Sequence, residues 1–129
     1  MKIIDGTGAV LGRLASFAAK EALKGEDIVI VNCNEIIISG NKKTTEREFF
    51  EKRHRHGHSQ KGPIHSKVSE RMVKRTIRGM LPNYREGRGR VAFKKIMCYN
   101  KAPEEYAEKK KIEMKVEKLK YSKVEDFKK

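Results

Sequence analysis

The sequence predicts an α/β fold whose sheet is parallel where it begins. Two short runs, Lys2–Asp5 (KIID) and Ile28–Val31 (IVIV), read as strands. The second is apolar without alternation, as expected of a strand covered on both faces. Between them, Val10–Leu23 reads as a helix. Val10, Leu11, Leu14, Ala15, Phe17, Ala18 and Ala22 fall on one side, and Arg13, Ser16 and Lys20 on the other. Strand, helix, buried strand is a βαβ unit, and its connection makes the two strands parallel.

The remaining elements follow in order. GTG ends the first strand and Gly25 stops the first helix. Ile36–Ile38 reads as a further short strand. A second helix is expected near Thr45, where Thr45 and Glu48 form a capping box. A third is expected over Lys67–Arg78, with Ser66 as N-cap and Gly79 and Pro82 ending it. Ile96–Tyr99 is another strand. Beyond Pro103 the apolar residues fit neither period, and no internal repeat is present.

The chain has 129 residues, enough for one domain with a modest core. No stretch nears the roughly 20 apolar residues that cross a bilayer, and the N-terminal apolar stretch is too short for a signal peptide. The expected compartment is the cytoplasm. Cys33 and Cys98 each sit in an apolar run and read as buried free thiols rather than a disulfide. The formal charge is +14, with a pI of about 9.9. Such a charge repels itself in a compact fold and calls for a polyanionic partner, nucleic acid before an anionic membrane surface.

The charge is concentrated. Residues 42–95 carry 17 basic and five acidic residues, nine of the ten arginines and all four histidines. Arginine's rigid fork holds phosphates and base edges bidentately, so this region is the expected contact surface. Lys42 and Lys43 open it. On the third helix, Lys67, Arg71, Lys74, Arg75 and Arg78 fall within about 100° of arc, opposite Val68, Met72, Val73, Ile77 and Met80. A stripe of like charges costs a few tenths of a kcal/mol per pair in isolation and becomes favourable beside phosphates. In REGRGR, Arg85, Arg88 and Arg90 alternate with glycines, which let a backbone approach a ligand closely.

RHRHGHSQKG, Arg53–Gly62, admits two readings. If the segment is extended, His54, His56 and His58 share a face and could ligate zinc. Arg53, Arg55 and Lys61 would repel a dication, and no cysteine or second carboxylate is at hand. The favoured reading has Arg53, Arg55 and Lys61 on phosphates and the histidines against nucleotides. GTGAVLG, Gly6–Gly12, resembles a dinucleotide fingerprint, but its third glycine is one residue late and no second mononucleotide half follows. No nucleophile–base or paired-carboxylate arrangement stands out in the basic region, so no catalytic residue, cofactor, metal or small-molecule substrate is expected.

VLGRLAS (Val10–Ser16), DIVIVNCNEI (Asp27–Ile36), SGNKK after it and RGMLP (Arg78–Pro82) occur in the order and spacing of the large-subunit ribosomal protein thirteen family. KKIMCYN and APEEY (Ala102–Tyr106) also resemble that family, over about residues 1–106. The bacterial HSGYPGG type of central segment is missing. RHRHGHSQKG and HSKVSERMVKRTIRGMLP are similar to the archaeal or eukaryotic form, and the short C-terminus to the archaeal one. The resemblance implies a three-layer α/β/α domain over residues 1–106, followed by a lysine-rich extension over 107–129. It implies a non-enzymatic constituent of the large ribosomal subunit that binds its RNA, neighbours other ribosomal proteins and acts early in assembly. The residues alone reach only a basic, nucleic-acid-binding α/β domain, for which a non-ribosomal RNA- or DNA-binding protein is the alternative.

Overall fold

The structure, a computed structural model, describes residues 1–55, 65–116 and 121–127. The βαβ unit is formed by β1 (Lys2–Asp5), α1 (Leu11–Leu23) and β2 (Ile28–Val31), with β1 and β2 parallel and Ile4 opposite Ile30. β3 (Ile37–Ser39), α2 (Lys42–His54), α3 (Ser69–Met80) and α4 (Gly87–Lys94) follow. β4 (Ile96–Cys98) then pairs with β2 in parallel. After α5 (Glu104–Ala107), β5 (Ile112–Glu113) pairs with β1, also in parallel. The sheet order is β4-β2-β1-β5.

All four residues of β2 are buried, and alternation divides them between two cores. Ile28 and Ile30 join Ile4 beneath Leu14, Ala15 and Ala18 of α1, Val73 and Ile77 of α3, and Ala92 of α4. The alanines let α1 and α3 approach each other closely. Val29 and Val31 join Ile3 on the opposite face, where Tyr99, Ala102 and Tyr106 cover them. Among the described residues, the second helical layer is thus the single-turn α5 and two tyrosines, whose rings lie 5.9 Å apart.

The last residues join the principal core. β6 (Tyr121–Lys123) pairs antiparallel with β3. Val124 donates its N–H to Ile36 O at 2.8 Å, and Val124 and Phe127 are buried. The segment read from sequence as a lysine-rich extension therefore supplies two strands and two core side chains. Its apolar residues are too sparse to show a period.

Several boundaries differ from the sequence reading. α2 starts at Lys42, because Asn41 caps it by accepting from Lys43 N at 3.0 Å. Thr45 lies inside the helix and donates its hydroxyl to Asn41 O, so the expected capping box at Thr45 and Glu48 is not the helix start. α3 begins at Ser69 after an extended Val68. Ser66 accepts from Val68 N, which caps the turn before the helix rather than the helix itself. Gly79 continues α3, which ends at Met80, with the extended Leu81 as its C-cap before Pro82. Most of REGRGR is not a loop: Gly87–Arg90 forms the first turn of α4. A Cβ on Gly89 would lie 2.4 Å from Pro82 O and 2.5 Å from Asn83 O, so this glycine serves backbone packing within the chain.

The GTGAVLG turn is likewise packed by the chain itself. A Cβ on Gly6 would meet Ile36 at 2.7 Å, and Gly8 (φ +69°) lies under the Lys115 side chain. Gly8 N donates to Glu35 O, and Gly8 O accepts from Val116 N. Cys33 is buried and free, and Cys98 is half-buried and free. Among the described residues, no helix is long and apolar enough to cross a membrane.

Candidate nucleic-acid interface

α3 turns Met72, Val73 and Ile77 to the core and Arg71, Lys74, Arg75 and Arg78 outward. The stripe anticipated on this helix is therefore four residues long. Lys67 is exposed but precedes the helix, because the chain is extended at Val68. Arg71 is exposed, and the next three cations are half-buried.

Aromatic rings back two of these cations. Lys74 Nζ lies 5.0 Å from the centre of the Phe93 ring. The Arg78 guanidinium lies 4.6 Å from the centre of the Tyr84 ring, and that of Arg85 lies 5.4 Å from it. Tyr84 and Phe93 are themselves 5.9 Å apart. Arg85 Nε donates to the Tyr84 hydroxyl at 3.2 Å. That bond, with the charges of Arg85, Arg78 and Arg75, holds the phenol below its ordinary pKa. Ser66, Arg71, Lys74, Arg75, Arg78 and Phe93 line an open cleft of about 300 Å³. Among the described residues, Arg71, Lys74 and Arg78 form no ion pair with a carboxylate. Cations over aromatic planes, three of them without a carboxylate partner among the described residues, have the chemistry to take phosphates and stacked bases.

The other anticipated residues are dispersed. Arg88 and Arg90 are exposed on α4. Lys43 is exposed, whereas Lys42 reaches Asp126 at 3.8 Å. Arg53 points inward. Its guanidinium donates to the carbonyls of Phe127 and, at 3.2 Å, Ser66, and lies over the Phe49 ring. Burial lowers its pKa. This side chain, read from sequence as a phosphate contact, instead ties α2 to the core. His54 closes α2 in helical conformation, so it does not belong to an extended histidine face. Arg55 is exposed. His56, His58 and Lys61 lie outside the described residues.

A second cleft, of about 270 Å³, lies between α2 and α3. Leu11, Phe49 and Met72 contribute apolar walls, and Lys52, His65 and Arg75 polar ones. Burial, then the charges of Arg75, Lys52, Arg53 and Arg55, push the His65 pKa below its ordinary value. Sequence reasoning missed His65, Lys52, Tyr84 and Phe93. For the two aromatics a signal was present, since both fall within the arginine-rich stretch. For His65, only folding brings the cations together.

The family profile described as "Ribosomal protein L13" matches residues 1–105. The large ribosomal subunit protein uL13 of Methanosarcina barkeri is 47% identical over 106 residues, covering 81% of this chain and 74% of that protein. The protein of the same name from Methanopyrus kandleri is 44% identical, covering 78% of this chain and 62% of its own length. That of Methanocaldococcus jannaschii is 41% identical over 124 residues, covering 94% and 90%. With a match spanning both strands of the βαβ unit, the basic helices and β4, the chain belongs to the ribosomal protein L13 family, in its archaeal form.

Proposed function

We infer that this chain is a structural constituent of the large ribosomal subunit that binds large-subunit ribosomal RNA through the face of α3 and α4. It is not an enzyme. One observation carries the choice of face: Arg71, Lys74 and Arg78 project from one side of α3 without carboxylate partners among the described residues, the latter two over aromatic rings. Phosphates would remove the repulsion among these cations, and unstacked bases would stack on the arginine guanidinium planes. Arg85, Arg88 and Arg90 extend the same basic region. Exposed Lys43, Arg55 and Lys67 supply further contacts, and His56, His58 and Lys61 are assigned to the same RNA. Neighbouring large-subunit proteins are the other partners. The protein works in the cytoplasm, within the ribosome, and enters the particle early in assembly.

Sedimentation of cell extract at moderate salt tests this reading. The chain should comigrate with large subunits and their precursors. A free protein peak, with all large subunits lacking the chain, would instead favour a non-ribosomal RNA-binding role.

A further inference from the structure

α2 is unlike α1 and α3, because none of its 13 residues is buried. Its inner side reaches the core through Phe49, which stacks on Phe127 at 5.2 Å, and through Arg53. Phe50 is 60% exposed and, with His54, forms the outer edge of a cleft of about 350 Å³ that Glu46, Phe49, Arg53 and Asp126 also line. At 100° per residue, Lys43, Arg47, Phe50 and His54, spaced four, three and four apart, fall within about 60° of arc. All four are exposed. The Phe50 and His54 rings stack with centres 4.0 Å apart and planes 24° apart. His54 Nδ1 donates to Phe50 O at 2.8 Å, which fixes the ring and leaves Nε2 for an outside partner. Among the described residues, neither Lys43 nor Arg47 forms an ion pair.

We propose that this outer stripe of α2 is a second RNA site, separate from the α3 face, which stacks an unpaired nucleobase on the Phe50–His54 pair and holds the adjoining phosphates on Arg47 and Lys43. It rests on the ribosomal-RNA reading above and adds a site to it. A large ring exposed to water gains by covering its face, and a base offers a flat π-surface of the right kind. The ring that extends the platform, His54, is held in place by its hydrogen bond to the backbone. The two neighbouring cations sit along one side of Phe50 and Glu46, one turn before it, along the other, so a group that covers Phe50 and carries its negative charge on the Lys43–Arg47 side is favoured. The sugar–phosphate chain on either side of a stacked base supplies both requirements at once. A protein partner would need an apolar side chain flanked by carboxylates.

The chain contains no tryptophan, so Phe50→Trp introduces a single reporter that keeps the stacking surface. Purified archaeal large-subunit ribosomal RNA is the probe, titrated against the full-length protein. Phe50→Trp should bind within about twofold of the parent, with saturable quenching of its emission by the stacked base. Phe50→Leu should bind roughly 5- to 160-fold more weakly, the range for loss of one base stack. Both variants should melt like the parent. If Phe50→Leu unfolds, the double variant Lys43→Gln/Arg47→Gln takes its place and should weaken binding in the same titration. Equal affinity for the parent and Phe50→Leu would overturn the proposal, as would RNA binding without quenching. A blue shift on adding large-subunit proteins, without quenching by RNA, would reassign the stripe to a protein neighbour. Failure of the parent itself to bind the RNA would overturn the ribosomal-RNA reading and this site with it, a distinct result from loss of the Phe50 effect alone.

Discussion

The Arg53 guanidinium donates to the main-chain carbonyl of Phe127, 74 residues further along the chain. Phe127 packs its ring on Phe49, four residues before Arg53 and one turn away on α2. One aromatic contact and one charged hydrogen bond thus tie a helix with no buried residue to the last described turn. Phe127 is 2% exposed, and truncating such a ring to alanine costs about 3–5 kcal/mol. Phe127→Ala should therefore lower stability by that amount in urea unfolding. It should also raise amide exchange in α2 above that in α1. Uniform exchange across both helices would mean that α2 is held by other contacts.

Two of the helical glycines, Gly89 and Gly12, should respond oppositely to alanine. At Gly89 the new methyl would collide with main-chain oxygens of Pro82 and Asn83, which are backbone atoms and cannot swing away. Overpacking of this kind costs about 1–3 kcal/mol. At Gly12 no described residue lies within 4 Å of the new methyl, and alanine is better than glycine in a helix by about 0.5–1 kcal/mol. Gly89→Ala should lower the melting temperature and Gly12→Ala should hold or raise it. Equal shifts would contradict the close approach of α4 to the Pro82–Asn83 backbone.

Glu21 should set part of the acid stability. Hydrogen bonds from Lys2 and then Lys24, aided by their charges, hold its pKa at about 2, below the ordinary 4.5. Between those values the unfolded chain binds the proton and the folded chain does not, so stability rises with pH there. The contribution is complete above about pH 4.5 and is lost as pH falls through about 2. Glu21→Gln should flatten the dependence of the unfolding midpoint across this window. Parallel curves for the parent and the variant from pH 2 to 5 would remove Glu21 from the account.

Much of the fold was legible because it rests on local patterns. The unbroken apolar run of Ile28–Val31 marked a doubly covered strand, and the 3.6-residue spacing of Leu14, Ala15, Ala18 and Ala22 marked the buried side of α1. Non-local contacts were not legible. Tyr121–Lys123 finds its place only against β3, and Val124 and Phe127 are buried by elements far earlier in the chain. At the candidate interface, the stripe Arg71, Lys74, Arg75 and Arg78 followed from helical spacing alone. Arg53 looked like its neighbours in sequence, but its surroundings in the fold turn it to main-chain carbonyls. Gly89 looked like a ligand-approach glycine, and what approaches it is the chain's own backbone.

Leu14 and Arg71 lie on the two sides of this division. Leu14 is fully buried, so Leu14→Ala should cost on the order of 2–5 kcal/mol. Arg71 is exposed, so Arg71→Ala should stay within about 0.5 kcal/mol while weakening RNA binding. Comparable destabilisation by both would mean that Arg71 is held by the fold rather than offered to a partner.

The salt dependence of RNA binding should trace to α3. Each phosphate contact contributes roughly 0.7 to the slope of log K against log salt for single-stranded RNA, and roughly 0.9 at duplex charge density. Replacing Arg71, Lys74 and Arg78 together by glutamine should flatten the slope by about 2–3 units. Glutamine is a good helix former, so α3 should persist in circular dichroism. A modest fall in melting temperature is expected, because Lys74 loses its place over Phe93 and Arg78 its place over Tyr84, each worth about 0.5–1 kcal/mol at an exposed site. Replacing Lys109, Lys110 and Lys111 by glutamine is the matched control. It removes the same formal charge, but Lys109 lies over Tyr106, whose ring covers the opposite face of the sheet. Equal loss of charge at the two places separates a contact face from a general electrostatic attraction. With large-subunit RNA or in subunit reconstitution, the α3 triple should flatten the slope and lower incorporation, and the tail triple should do less of both. If the tail triple flattens the slope more, the RNA lies against the opposite face of the sheet, and the aromatic-backed cations of α3 serve the fold alone.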